Sequence, residues 1–191
     1  MENLFLICII PPVSIVEDID EIRQDISLKY NVHESLKRPA HITLYNPVKL
    51  SAEQQEKKFF SALEQSIFSD PFEQILKNFN GFAPHTVYID VLQNAGIMNL
   101  QAQIKKELRP LALLPDKDNF KFNPHLTIAF KDVKPTVFES ITHEYREKQF
   151  KRTFVVNSFC VYKHLDKRWQ PYKEFSFKGS ATKPKPLSLF D

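Results

Sequence analysis

"PAHITLY" at 39–45 and "NPHLTIAF" at 123–130 decide how this chain is read. Each sets a His, an apolar residue, a Thr and a second apolar residue in a row: His41-Ile42-Thr43-Leu44 and His125-Leu126-Thr127-Ile128. Both stretches read as strands. Side chains alternate across a strand, so His41 and Thr43 share one face while Ile42 and Leu44 share the other. In the same way His125, Thr127 and Ala129 oppose Leu126, Ile128 and Phe130. Each strand is expected to bury its aliphatic face under helices and to present an imidazole and a hydroxyl on the opposite face.

Working outward, "LFLICII" (4–10) is a continuous apolar run broken by Pro11-Pro12 and reads as a central strand. Ser14-x-x-Glu17 has the pattern of a capping box, and Ile15, Ile19, Ile22, Ile26 and Tyr30 recur at helical spacing, which predicts a helix over 15–30. Ser51-x-x-Gln54 repeats the cap ahead of Phe59, Phe60, Leu63 and Ile67. Strands are expected at 72–79 and 86–92. Ile97, Leu100, Ile104 and Leu108 mark a helix that Pro110 ends, and Pro135 opens another carrying Val137, Ile141 and Tyr145. "FVVNSFCVY" and "YKEFSF" read as the last two strands.

As elements, 15–93 is α-β-α-β-β and 97–178 is α-β-α-β-β again, with an extra strand in front. The His/Thr pair falls in the first strand of each unit. Asn80-Gly81-Phe82 and Asn157-Ser158-Phe159 add a smaller echo. The order implies an internal duplication: a bilobal α+β fold whose antiparallel sheets face a central cleft. Residues 1–178 form that domain, and 179–191 form a flexible C-terminal tail.

Composition narrows the chemistry. The chain has 191 residues, 42% hydrophobic, enough for one sizeable core, and a net charge of +3 that permits a phosphate-bearing partner without demanding one. Only three glycines are present, none in a phosphate-cradling pattern. Cys8 and Cys160 each sit in an apolar run and read as two buried thiols of a cytoplasmic protein. The opening apolar run is too short to span a bilayer and lacks a basic leader, so no membrane role is expected. Two His without a Cys or a paired acid make a poor zinc site, and no metal or other cofactor is expected.

A pseudo-two-fold relating the units would bring two His and two Thr together across the cleft. Imidazole titrates near pH 6.5, so one of two such groups can act as base while the other acts as acid. In-line displacement at phosphorus needs a base on the attacking oxygen and an acid on the leaving oxygen. The Thr hydroxyls can donate to the non-bridging oxygens between them. By parity Tyr45 falls on the face of His41, where it could stack on a base. Lys121 shares the face of His125 if the strand stays regular through Pro124, and Arg38 lies just before the first motif. These three are candidate substrate contacts.

The paired motifs resemble those of the two-histidine phosphoesterase superfamily. The nearest likeness is to the bacterial 2′-5′ RNA ligases, which also act as RNA 2′,3′-cyclic phosphodiesterases. The resemblance covers about 1–178. It rests on the first strand with Pro11-Pro12 and its helix, on "HITL", and on Phe122-x-Pro124-His125-Leu126-Thr127-Ile128-Ala129. It implies an antiparallel sheet in each lobe, an active site between them, and catalytic or phosphate-binding roles for His41, Thr43, His125 and Thr127. Where RNA-ligase members continue the first motif with a Phe-Leu-Gly-like run, this chain has Tyr45-Asn46-Pro47-Val48. The resemblance therefore reaches the superfamily rather than one substrate.

The expected activity is metal-independent hydrolysis of 2′,3′-cyclic phosphate ends of RNA or nucleotides to 2′-phosphates, with 2′-5′ ligation as the reverse step. His125 is taken as base and His41 as acid. The alternatives are a non-catalytic RNA-end-binding module and a hydrolase of small cyclic nucleotides or ADP-ribose cyclic phosphates. The tail ends in "PLSLF". This apolar cluster either folds back on the domain or serves as a short motif similar to the pentapeptide that docks bacterial proteins on the DNA sliding clamp.

Overall fold

The computed structural model describes residues 3–113 and 121–182. Eight strands, β1 (Asn3–Ile9), β2 (Ile42–Leu50), β3 (Phe72–Phe82), β4 (Thr86–Val91), β5 (His125–Ala129), β6 (Lys151–Val156), β7 (Ser158–Leu165) and β8 (Arg168–Ser176), alternate with four helices. These are α1 (Val13–Tyr30), α2 (Glu53–Glu64), α3 (Ala95–Leu108) and α4 (Pro135–Tyr145). The strands form one sheet in the order β6-β3-β4-β5-β2-β1-β7-β8, with every pairing antiparallel. The sheet curls into a half-barrel. It divides into two four-stranded halves, β6-β3-β4-β5 and β2-β1-β7-β8. They meet at a seam where β2 and β5 share a single registered pair, Ile42↔Leu126. The two motif strands flank that seam.

The core lies between the sheet and the helices. Ile42, Leu44, Leu126 and Ile128 are all at most 2% exposed, while His41, Thr43, His125 and Thr127 are only half-buried. The alternation expected from sequence therefore holds from His41 to Leu44 and from His125 to Ile128. A register shift against β4 follows, so Ala129, expected on the open face, is buried in the core, and Phe130 is half-buried. α1 packs on β5 and α4 on β3 and β4, whereas α2 and α3 pack on each other and on β2. Gly96 allows the start of α3 to lie close on β3, since a Cβ there would come within 2.2 Å of the Phe72 ring.

Several local readings change. The run 154–162 is two strands: Asn157 separates β6, which edges the first half on β3, from β7, which crosses to pair with β1. No Gly or Pro marks that break. β1 and β4 occupy matching places beside the motif strands, so the front strand belongs to the repeat instead of standing outside it. The Asn80 and Asn157 echo falls at the end of β3 and ahead of β7, positions that do not correspond. Ser14 lies inside the first turn of α1, whose cap is Pro12 with no side-chain bond. Ser51 precedes the α2 cap, Ala52, and both its backbone N–H and its hydroxyl donate to Gln55, one residue beyond the expected partner. Cys8 and Cys160, far apart in sequence, are direct cross-strand partners with free thiols. Burial pushes Cys160 up to about 11 and raises Cys8 as well.

At the C-terminal end the backbone N–H of Lys178 donates to the Ile67 carbonyl and that of Gly179 to the Ser69 carbonyl. Ser180 donates to Asp70 through its backbone N–H and its hydroxyl. The chain is thus tied to the domain as far as a short 3₁₀ turn at Ser180–Thr182. The "PLSLF" segment and its two readings lie outside the described residues. Among the described residues no helix is long and apolar enough to cross a membrane.

Candidate active site

Antiparallel register fixes the geometry at the seam. With Ile42 opposite Leu126, one step either way sets Thr43 opposite His125 and His41 opposite Thr127. All four side chains lie on the open face, and the imidazoles occupy a diagonal of the tile, which places their strand positions about 7–8 Å apart. On one side β4 extends the tile, with Tyr88 opposite Thr127 and Asp90 opposite His125. On the other side β1 places Cys8 opposite Thr43.

Both imidazoles are held in the same way. The ring Nδ1 of His41 lies 2.7 Å from the Pro39 carbonyl oxygen, and that of His125 lies 2.9 Å from the Asn123 carbonyl oxygen. Each partner is two residues back. A carbonyl only accepts, so both Nδ1 atoms carry the hydrogen and donate. This fixes the tautomer and leaves Nε2 as the ring nitrogen that meets a ligand.

The surroundings of the two rings differ. His125 stands edge-on to Phe82, with centroids 5.0 Å apart, and 5.2 Å from Tyr88. Burial, and then the Asp90 carboxylate, raise the Tyr88 phenol above its ordinary value, so it stays a hydrogen-bond donor. His41 is held down to about 4, first by burial and then by the charges of Arg23, Arg38 and His125; its bond to Pro39 works in the opposite direction. It is therefore neutral at pH 7. Its folded pKa lies below its unfolded value near 6.5, so the unfolded chain binds more protons between those values. The stability His41 contributes is present above pH 6.5 and lost as the pH falls towards 4. Urea unfolding between pH 7 and 4 is expected to show a shallower stability loss in His41→Ala than in the parent; equal slopes would refute the coupling.

The three candidate contacts fare differently. Arg38 ends the 3₁₀ turn Glu34–Lys37. Its guanidinium lies 5.0 Å from the Phe130 ring centroid and 5.7 Å from that of Trp169, and its charge reaches His41. Tyr45 pairs with Ile7 between two register shifts and packs against the core, so the alternation that would carry it onto the face of His41 is interrupted. Lys121 is exposed and lies before β5, which begins only at His125. The strand does not run through Pro124, and the parity argument for Lys121 lapses with it.

Sequence reasoning missed three features. Arg23 on α1 is 2% exposed and reaches the seam from the helix side, donating to the Arg38 and Thr127 carbonyls at 3.0 and 3.1 Å. The β7–β8 hairpin brings Trp169, packed edge-on to His164 at 5.2 Å, to Arg38. Phe82, 40% exposed, stands beside His125. Among the described residues no three His, Cys, Asp or Glu side chains group as metal ligands.

The family model described as the 2′-5′ RNA ligase superfamily matches residues 11–168. The chain belongs to this superfamily of two-histidine phosphoesterases. No curated protein matches it in sequence. Among solved structures it is similar to Escherichia coli LigT complexed with 3′-AMP, at 19% identity and a TM-score of 0.68 over 93% of this chain and 99% of that one. It is also similar to TT0787 of Thermus thermophilus, at 16% identity and a TM-score of 0.66 over 92% and 98%. These likenesses show the LigT-like fold, and the superfamily match shows the phosphoesterase class.

Proposed function

We propose that this superfamily member hydrolyses 2′,3′-cyclic phosphate ends of RNA or nucleotides to 2′-phosphates without a metal. The carrying observation is the His/Thr tile, with both Nδ1 atoms fixed by backbone carbonyls. Two Nε2 atoms then flank a phosphate, and the Thr43 and Thr127 hydroxyls donate to its non-bridging oxygens. His41 is the base, because it is neutral at pH 7; as an acid of pKa about 4 it would be protonated in only about one molecule in a thousand. This reverses the roles taken from sequence. His41 Nε2 takes a proton from water, the water oxygen bonds to phosphorus, the bond from phosphorus to O3′ breaks, and His125 Nε2–H delivers a proton to O3′. Proton exchange with solvent resets both rings. With a 5′-hydroxyl in place of water as the nucleophile, the same groups bond the 5′-oxygen to phosphorus, break the bond to O3′ and protonate O3′, which gives 2′-5′ ligation.

Crystals of LigT with 3′-AMP, ATP and NADP+ support a nucleotide ligand. Arg38 adds a cation whose charge reaches the base, and the free thiols of Cys8 and Cys160 suit a cytoplasmic setting. The test is a substrate panel assayed in chelator: nucleoside 2′,3′-cyclic monophosphates, a short RNA with a cyclic phosphate end, and an ADP-ribose cyclic phosphate, with the products identified. The 2′-phosphate is expected. Failure to turn over any of them overturns the reading, and exclusive use of the last narrows the enzyme to small substrates. Because kcat/KM reports free-enzyme ionisations, its acid limb is expected near pH 4. A limb near 6.5 would show that the His41 ring is not held down and would remove the ground for making it the base.

A further inference from the structure

We propose that Arg23 is a positioning residue that sets the spacing of the two His strands by clasping the seam where their own pairing stops. The β2–β5 ladder holds only Ile42↔Leu126. Beyond it, towards His41 and Thr127, the chain before β2 leaves the strand and no further backbone pair forms. Arg23 enters there from α1. Its Nη1 donates to the Arg38 carbonyl at 3.0 Å, and its Nη2 donates to the Thr127 carbonyl at 3.1 Å. One planar guanidinium thus ties the segment three residues ahead of His41 to the residue opposite it in the tile. Nη1 is also held by Asp20 at 3.0 Å, one turn back on α1, which anchors the clasp to the helix. Buried Nε finds no partner among the described residues, so the two carbonyls and Asp20 fix where the group sits. A lysine has one nitrogen and no rigid fork, and cannot reproduce this span.

Arg23 also places a buried cation behind the proposed base. The charged and titratable groups that act on His41 are Arg23 from α1, Arg38 from the preceding turn and His125 from β5. The clasp and the field are separable by substitution. Arg23→Lys keeps the charge and loses the fork, whereas Arg23→Met loses both.

The catalytic part of this inference rests on the proposed cyclic-phosphate activity; the structural part does not. Two readouts are therefore needed. In Arg23→Lys, amide hydrogen exchange at 41–43 and 126–128 is expected to speed up by at least tenfold while exchange in β7 stays unchanged. The His41 titration, followed by NMR of the ring, should remain low, and kcat should fall about ten- to a hundredfold. In Arg23→Met the His41 titration should move upward, carrying the acid limb of kcat/KM with it. Wild-type exchange at the seam and wild-type kcat in Arg23→Lys would overturn the proposal. If Arg23→Met does not fold, the lysine variant and Arg23→Gln carry the test. If the parent turns over no cyclic phosphate, the exchange and NMR readouts still decide whether the clasp exists.

Discussion

Alanine at His41 or at His125 is expected to lower kcat/KM for a 2′,3′-cyclic phosphate by about 10²–10⁴-fold, the usual scale for removal of a general acid or base. The two losses should not multiply. Base and acid act in one displacement, so the double variant is expected to fall little below the worse single one. Leaving-group dependence tells the roles apart. An ester with a 4-nitrophenolate leaving group needs little protonation, so it should restore much of the rate of His125→Ala and none of the rate of His41→Ala. Rescue of His41→Ala alone would exchange the assignments. Near-parent activity in either variant on the natural type of substrate would remove that imidazole from the mechanism.

The proposed roles draw on features that differ in how far the sequence discloses them. Strict alternation in two short strands is a local rule. It placed Ile42, Leu44, Leu126 and Ile128 in the core and left His41, Thr43, His125 and Thr127 on the open face, as found. The same rule gave no secure place to Tyr45 or Lys121, because each needed the strand to stay regular beyond the motif. A register shift and a late strand start intervene. Arg23 was illegible for another reason. In α1 the stripe Ile15, Ile19, Ile22, Ile26 looks complete without it, yet the buried face runs through Ile15, Ile19, Arg23 and Ile26. A charged residue at the edge of an apolar stripe reads as solvated, and only the seam between two strands distant in sequence gives it partners. Trp169 and the Cys8–Cys160 pairing belong to the same class. They depend on β7 crossing to β1, a step announced only by Asn157.

Valine at Thr43 or at Thr127 is expected to cost about 10²-fold each, mainly in kcat. Val keeps the β-branched shape and the strand preference, so the sheet is retained, and only the hydroxyl is lost. A preorganised donor aimed at charge that builds up during reaction is worth about 10²–10³-fold when removed singly. The tile makes the two Thr equivalent in kind but unequal in neighbours. Thr127 lies opposite Tyr88, whose phenol is kept protonated by burial and Asp90 and can supply a second donor near the same oxygen. Thr43 lies opposite Cys8, a buried thiol and a weak donor. Thr43→Val should therefore be the more severe of the two, and Tyr88→Phe should deepen the loss in Thr127→Val but not in Thr43→Val. Steady-state kinetics on proteins of unchanged melting temperature check this. Parent-level kcat in both Val variants would take the hydroxyls out of phosphate stabilisation, and equal losses insensitive to Tyr88→Phe would remove the phenol from it.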